Sequence, residues 1–135
     1  MTMKRSFFIL MVILAAALVA QPAHAKRVQP IQNVENSPIP DGLSMKDIHS
    51  AIVLAGSIRN WAVTKVEDGH LQATLHLRSH MAKVDIHYDQ DSYSITYNSS
   101  DNLKYKNGRI HRNYNSWVSN LNGDIQVVLA NAVAD

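Results

Sequence analysis

An apolar stripe at helical spacing runs along residues 48–62, where apolar side chains recur at steps of three and four. Just before it, Ser44 and Asp47 have the spacing of a capping box, which supplies a hydroxyl for a free amide and an acid at the positive end of the helix dipole. The pattern predicts an amphipathic helix of about 18 residues. Gly56 would allow it to approach a sheet closely. The stripe consists of Ile48, Ala51, Ile52, Ala55, Ile58 and Ala62.

Beyond residue 62 the apolar period changes to two, which is typical of strands with one buried and one solvated face. Asp68-Gly69 favours a hairpin turn because both residues tolerate positive φ. The sequence therefore predicts a meander of four antiparallel strands, the first before this turn. The apolar positions of the other three are Leu71, Ala73, Leu75 and Leu77, then Val84, Ile86 and Tyr88, then Tyr93, Ile95 and Tyr97.

Two turns predict the register of these strands. A turn at residues 80–81 places Leu75 opposite Ile86, and a turn at residues 90–91 places Ile86 opposite Ile95. The two hairpins agree, and a slip by one residue would turn every apolar side chain to water. We therefore expect this register, with one polar face on the sheet.

A second helix is predicted after the turn at Asn107-Gly108, with Asn113 or Asn115 as its cap. The order helix, four strands, helix predicts an α+β two-layer sandwich: a four-stranded antiparallel meander with an N-terminal and a C-terminal helix on one face. The apolar stripe of the second helix consists of Trp117, Leu121, Ile125, Val128, Leu129 and Ala132.

The first 25 residues read as a cleaved signal peptide. Lys4 and Arg5 precede an apolar run from Phe7 to Ala20, and residues 23–25 fit the small-x-small rule for cleavage. The run is shorter than the roughly 20 residues that span a bilayer. The sequence thus predicts a periplasmic or secreted protein without a transmembrane anchor after cleavage. Residues 26–42, with three prolines, are interpreted as a flexible linker, and residues 43–135 as a single α+β domain.

Charge and cysteine content exclude several classes of function. The segment to residue 25 carries two of the 13 basic residues and none of the 11 acidic ones, so 11 of each remain. A neutral chain without a basic stripe is not expected to bind nucleic acid. The absence of cysteine excludes disulfides, thiolate metal sites and a lipid-modified cysteine.

The segments beginning at Ser44 and continuing through the strand sequences ATLHLR, VDIHY and YSITY to IHRNYNSW resemble a group of small exported proteobacterial α+β proteins. The resemblance covers roughly residues 44–130 and implies neither an activity nor functional residues. The helix followed by a meander is also similar to PepSY-type periplasmic modules.

The polar sheet face is the first candidate site. The expected register places His76 opposite Asp85 and Thr74 opposite His87, with Arg78 beside Lys83. Cross-strand neighbours about 5 Å apart would let these side chains converge on a ligand. His76, Asp85 and His87 form the alternative metal-binding set, whereas a solvated polar face explains the same residues without a site.

The start of the second helix is the other candidate. His111, Tyr114 and Trp117 combine aromatic rings with polar edges, which suit a sugar ring or a peptide side chain. Capping and core packing explain the same residues.

Enzyme signatures are missing from the sequence, which has no Gly-x-Ser-x-Gly elbow, His-Glu-x-x-His motif, phosphate loop or cysteine nucleophile. The sequence favours a non-enzymatic periplasmic binding or interaction domain without a cofactor, with an envelope protein or a cell-wall component as its partner. The alternative is a weak metal-binding or pH-responsive module that uses histidines of the polar face.

Overall fold

The computed structural model describes residues 27–134, so the predicted signal peptide lies outside the described residues. The fold is α+β, with an antiparallel sheet and two helices, as the sequence predicts. In chain order the elements are β1 (Val28–Pro30), β2 (Val34–Pro38), α1 (Met45–Ile58), β3 (Ala62–Glu67), β4 (His70–Leu77), β5 (His80–Tyr88), β6 (Ser92–Asp101), β7 (Arg109–His111) and α2 (Arg112–Ala134).

The main sheet has five strands in the order β2-β6-β5-β4-β3, one more than predicted. Strands β3 to β6 are the predicted meander, and β2 joins its edge with Val34 opposite Ile95. The linker interpretation of residues 26–42 is corrected here, because β1 and β2 lie in this segment and precede α1, which is therefore not N-terminal. Pro30 and Pro38 are the last residues of these two short strands, a position where the missing N–H group does not prevent pairing.

Helix α1 begins as predicted. The Ser44 hydroxyl accepts the Asp47 N–H at 3.0 Å, and the Asp47 carboxylate accepts the Ser44 N–H at 3.0 Å. The helix ends at Ile58 rather than near Ala62, because Asn60 takes a φ of 68° and the chain reverses into β3. A Cβ at Gly56 would lie 2.5 Å from a methyl carbon of Val63, so glycine permits the close approach of α1 to β3.

The hairpin of β4 and β5 differs from its predicted register. Its turn is at residues 78–79, and Leu71 rather than Leu75 lies opposite Ile86. Arg78 adopts a φ of 56°, while Asn102 donates to the Ser79 hydroxyl at 2.9 Å and holds this turn against the end of β6. The shift is by an even number of residues, so every side chain keeps its predicted face.

The hairpin of β5 and β6 has the predicted register, with Ile86 opposite Ile95 and Val84 opposite Tyr97. Its turn is held by Asp89, whose carboxylate accepts the N–H groups of Asp91 and Ser92. A local side-chain bond of this kind is typical of turns. The last turn of the meander was thus predictable from its own residues.

Helix α2 begins at Arg112, before both of the predicted caps, Asn113 and Asn115. His111 precedes it, and its Nδ1 accepts the Asn113 N–H at 3.1 Å. Asn115 is buried instead, where its side chain bonds the Gln32 N–H and the Pro30 carbonyl at 3.0 Å each. Asn115 therefore anchors the N-terminal segment rather than capping α2.

One core joins both helices to the apolar face of the sheet. Ile52 of α1, Leu121 and Ile125 of α2, and Ile86 and Ile95 of the sheet are all fully buried within it. Within residues 27–134, no helix is long and apolar enough to cross a membrane. The opposite face of the sheet remains solvated, and it carries the residues considered next.

Candidate functional site

The solvated face of the sheet presents polar side chains from its three central strands. Alternation along each strand turns these residues away from the core, and none of them is a large exposed apolar residue. They are His70, Gln72 and Thr74 of β4, Lys83, Asp85 and His87 of β5, and Ser94, Thr96 and Asn98 of β6.

Asp85 is the centre of a hydrogen-bonded network on this face. One carboxylate oxygen lies 2.7 Å from His70 Nε2 and accepts the Gln72 amide at 3.2 Å. The other oxygen accepts the Asn98 amide at 2.9 Å. Donors from both neighbouring strands therefore hold a carboxylate whose side chain is only 18% exposed. We call Asp85, His70, Gln72, Asn98 and the adjoining His87 the Asp85 cluster.

The environment of Asp85 favours its charged form. Partial burial by itself would raise the pKa of this carboxyl, but hydrogen bonds from His70, Asn98 and Gln72 outweigh burial and leave the pKa below its usual value. Asp85 is thus a fixed negative charge on an otherwise hydrogen-bonding surface.

The imidazole rings of His70 and His87 stack beside the carboxylate. Their centroids are 4.1 Å apart and their planes differ by 18°. His70 is partly buried, whereas His87 is exposed. His87, together with the exposed Asn98, is consequently a part of the Asp85 cluster that is accessible to a ligand.

The corrected register changes the predicted membership of this site. Asp85 and His87 lie together, but His76 lies opposite Met81, near the far end of β4. Arg78 is in the β4–β5 turn rather than beside Lys83, which lies opposite Thr74.

His70 takes the place predicted for His76, and sequence reasoning missed it. The available signal was the hairpin at Asp68-Gly69, which starts β4 at His70 and puts this residue on the polar face. The predicted metal set is not assembled, since His76 is absent from the cluster. Among the described residues, no group of three His, Cys, Asp or Glu side chains is arranged to hold a metal ion.

The predicted patch at the start of α2 does not form one surface. Tyr114 is 1% exposed and packs edge-on against Tyr97, and its burial raises the pKa of its phenol. His111 serves as the helix cap described above. Trp117 is partly buried, with its ring centroid 6.3 Å from that of His80. Of these three residues, only Trp117 lines the cleft at the end of β4.

The groove and the cleft described next lie away from the Asp85 cluster. A groove of about 640 Å³ runs between α1 and α2, where Leu54 and Val128 form part of its walls. None of the predicted site residues lines this groove. A smaller cleft of about 260 Å³ brings His76 and Trp117 together.

Comparison of the chain with protein-family models, with curated proteins and with solved structures finds no match. The predicted resemblance to exported proteobacterial proteins therefore stays a prediction. Function must be argued from the geometry of the chain itself.

Proposed function

We propose that this chain is a non-enzymatic binding domain of the bacterial periplasm, which holds its ligand on the polar sheet face at the Asp85 cluster. The supporting observation is the Asp85 network, in which side chains of three adjacent strands fix one carboxylate beside an exposed imidazole. Such a surface is ordered before the ligand arrives, so little side-chain entropy is lost on binding. The periplasmic location follows from the predicted signal peptide.

The chemistry of this face favours a hydrated glycan of the cell wall over an envelope protein. Protein interfaces generally have a core rich in aromatic residues, methionine and arginine, which the centre of this face lacks. Amide, hydroxyl and imidazole groups instead predominate, and they match a ligand whose hydroxyl and acetamido groups both donate and accept hydrogen bonds.

A sedimentation assay tests this proposal. The purified protein is mixed with insoluble peptidoglycan, and the fraction that sediments is compared with that of the double variant Asp85→Asn/His87→Ala. The matched control is His49→Ala/Asp91→Asn, which makes the same changes away from the cluster. We expect the cluster variant to lose sedimentation and the control to retain it. Absence of sedimentation in the unaltered protein, or equal retention by both variants, contradicts the proposal.

A pH-responsive function is the second candidate, and the stacked His70–His87 pair supports it. Protonation of both rings would place two positive charges about 4 Å apart, beside the Asp85 carboxylate and across from Glu67 of β3, which pairs with His70. This function predicts that peptidoglycan sedimentation changes between pH 7.5 and pH 5 in the unaltered protein, and that His87→Gln abolishes the change. A pH dependence that survives His87→Gln rules out this stack as its origin.

A further inference from the structure

The cleft at the end of β4 arises because β4 is longer than its neighbour β3. Pairing of these strands starts at Ala62 opposite Thr74, so residues 75–77 pair with β5 alone within the described sheet. Residues 59–61, which connect α1 to β3, form one wall of the cleft. Trp117 and Asn120, three residues apart on α2, form another.

The interior of the cleft is apolar. Trp61 and Leu75 are almost completely buried, and Trp117 is partly buried against the core. Indole rings offer broad apolar faces with one polar N–H edge, which suit the C–H face of a ring-shaped ligand. The cavity, at about 260 Å³, is smaller than the roughly 300–1,000 Å³ of drug-sized pockets, so it accommodates one ring rather than an oligomer.

The rim of the cleft is polar but carries no uncompensated permanent charge. Asn60, Asn120 and His76 are exposed and line it. Arg59 also borders it, but its guanidinium donates to the Asp124 carboxylate at 2.9 Å. A neutral ligand with amide and hydroxyl groups therefore fits this rim better than a phosphate or a carboxylate.

We propose that this cleft binds one ring of an N-acetylated amino sugar. The ring packs on the indole surface, and its acetamido group exchanges hydrogen bonds with the side-chain amides of Asn60 and Asn120. The site is separate from the Asp85 cluster, because His76 lies six residues from His70, about 20 Å along β4. It therefore does not rest on the function proposed for the sheet face.

Tryptophan fluorescence tests the cleft directly. The chain contains two tryptophans, and both line the cleft, so any change in their emission reports on this place. Titration of the full chain with N-acetylglucosamine should give a saturable change with a Kd of about the millimolar range, as expected for so small a ligand. Glucose, which lacks the acetamido group, should bind markedly more weakly.

Matched variants separate this site from the sheet face. His76→Ala/Asn120→Ala replaces two exposed rim residues, and we expect its affinity for N-acetylglucosamine to fall about 5- to 30-fold. The control His49→Ala/Asn113→Ala makes the same changes outside both the cleft and the Asp85 cluster, and it should bind normally. An absent or non-saturable response overturns the proposal, as do equal responses to glucose and equal losses in both variants. If the cluster variant loses peptidoglycan sedimentation but keeps its response to N-acetylglucosamine, the result supports two separate sites.

Discussion

The two faces of β5 differ in what their side chains require. Ile86 is fully buried in the core that joins both helices to the sheet, whereas its neighbours Asp85 and His87 point to the solvated side. The core face depends on volume and exclusion of water. The polar face depends on which particular donor reaches which acceptor. A register that preserves the alternation therefore buries the right side chains on the core face, but it does not specify which polar side chains meet on the other face.

The largest expected effect lies on the core face. Ile86→Ala removes three buried carbon atoms and leaves a cavity, so we expect a loss of about 2–5 kcal/mol in the free energy of unfolding. Chemical denaturation measures this loss. The smaller change Ile86→Val should cost about 0.5–1.5 kcal/mol. A loss from Ile86→Ala no greater than that from polar-face variants would remove the contrast between the two faces.

Acid titration of Asp85 gives the next largest effect. The pKa of Asp85 is lowered in the folded protein, so its stabilising contribution is present at pH values above its unfolded pKa of about 3.9 and is lost as the pH falls through the folded value. We expect Asp85→Asn to reduce stability by about 1–2 kcal/mol at pH 7. The difference from the unaltered protein should shrink below about pH 4. Denaturation curves across this range test the sign, and a difference that grows in acid contradicts it.

A double-mutant cycle tests the register of the polar face. His70 and Asp85 are 2.7 Å apart, so His70→Ala and Asp85→Ala should show a coupling of about 0.5–1.5 kcal/mol. The corresponding cycle of His76 with Asp85 should give a coupling near zero. Coupling of Asp85 to His76 but not to His70 would show that the β4–β5 register is the one predicted from the sequence.

The smallest effect is expected for His76 alone. This residue is exposed beyond the region where β3 pairs with β4, so His76→Ala should change the free energy of unfolding by no more than about 0.5 kcal/mol. The same denaturation experiment measures it. A loss above about 1 kcal/mol would mean that His76 has a structural partner, and its use as a test of the cleft would need a different variant.

The N-terminal segment shows why the fifth strand was not predicted. Residues 28–38 have no sustained apolar alternation, and their prolines are typical of a linker. The segment is ordered through distant partners: Val34 pairs with Ile95, and Asn115 bonds the backbone near Pro30. These contacts join residues more than 60 positions apart, so no local sequence pattern indicates them.

The features that could be predicted from the sequence are local in origin. They include the capping box of Ser44, the burial of Ile86, the turn before β6 and the apolar stripes of the two helices, except for Ile58 and Ala62, which are exposed. Each of these depends on residues within a few positions of one another, where chain geometry and solvation dictate the result. The α+β class follows from their order along the chain.

Which polar residues contact one another depends on the packing of distant segments. Alternation has a period of two, so a shift of the β4–β5 hairpin by an even number of residues leaves every side chain on its predicted face. The choice of register falls to the positive φ of Arg78 and to Asn102, which bonds Ser79 from 23 positions away. In the resulting register, Asp85 bonds His70, and His76 lines the cleft beside Trp117. Hydrogen bonding depends on position in space, which the pattern along the chain does not specify.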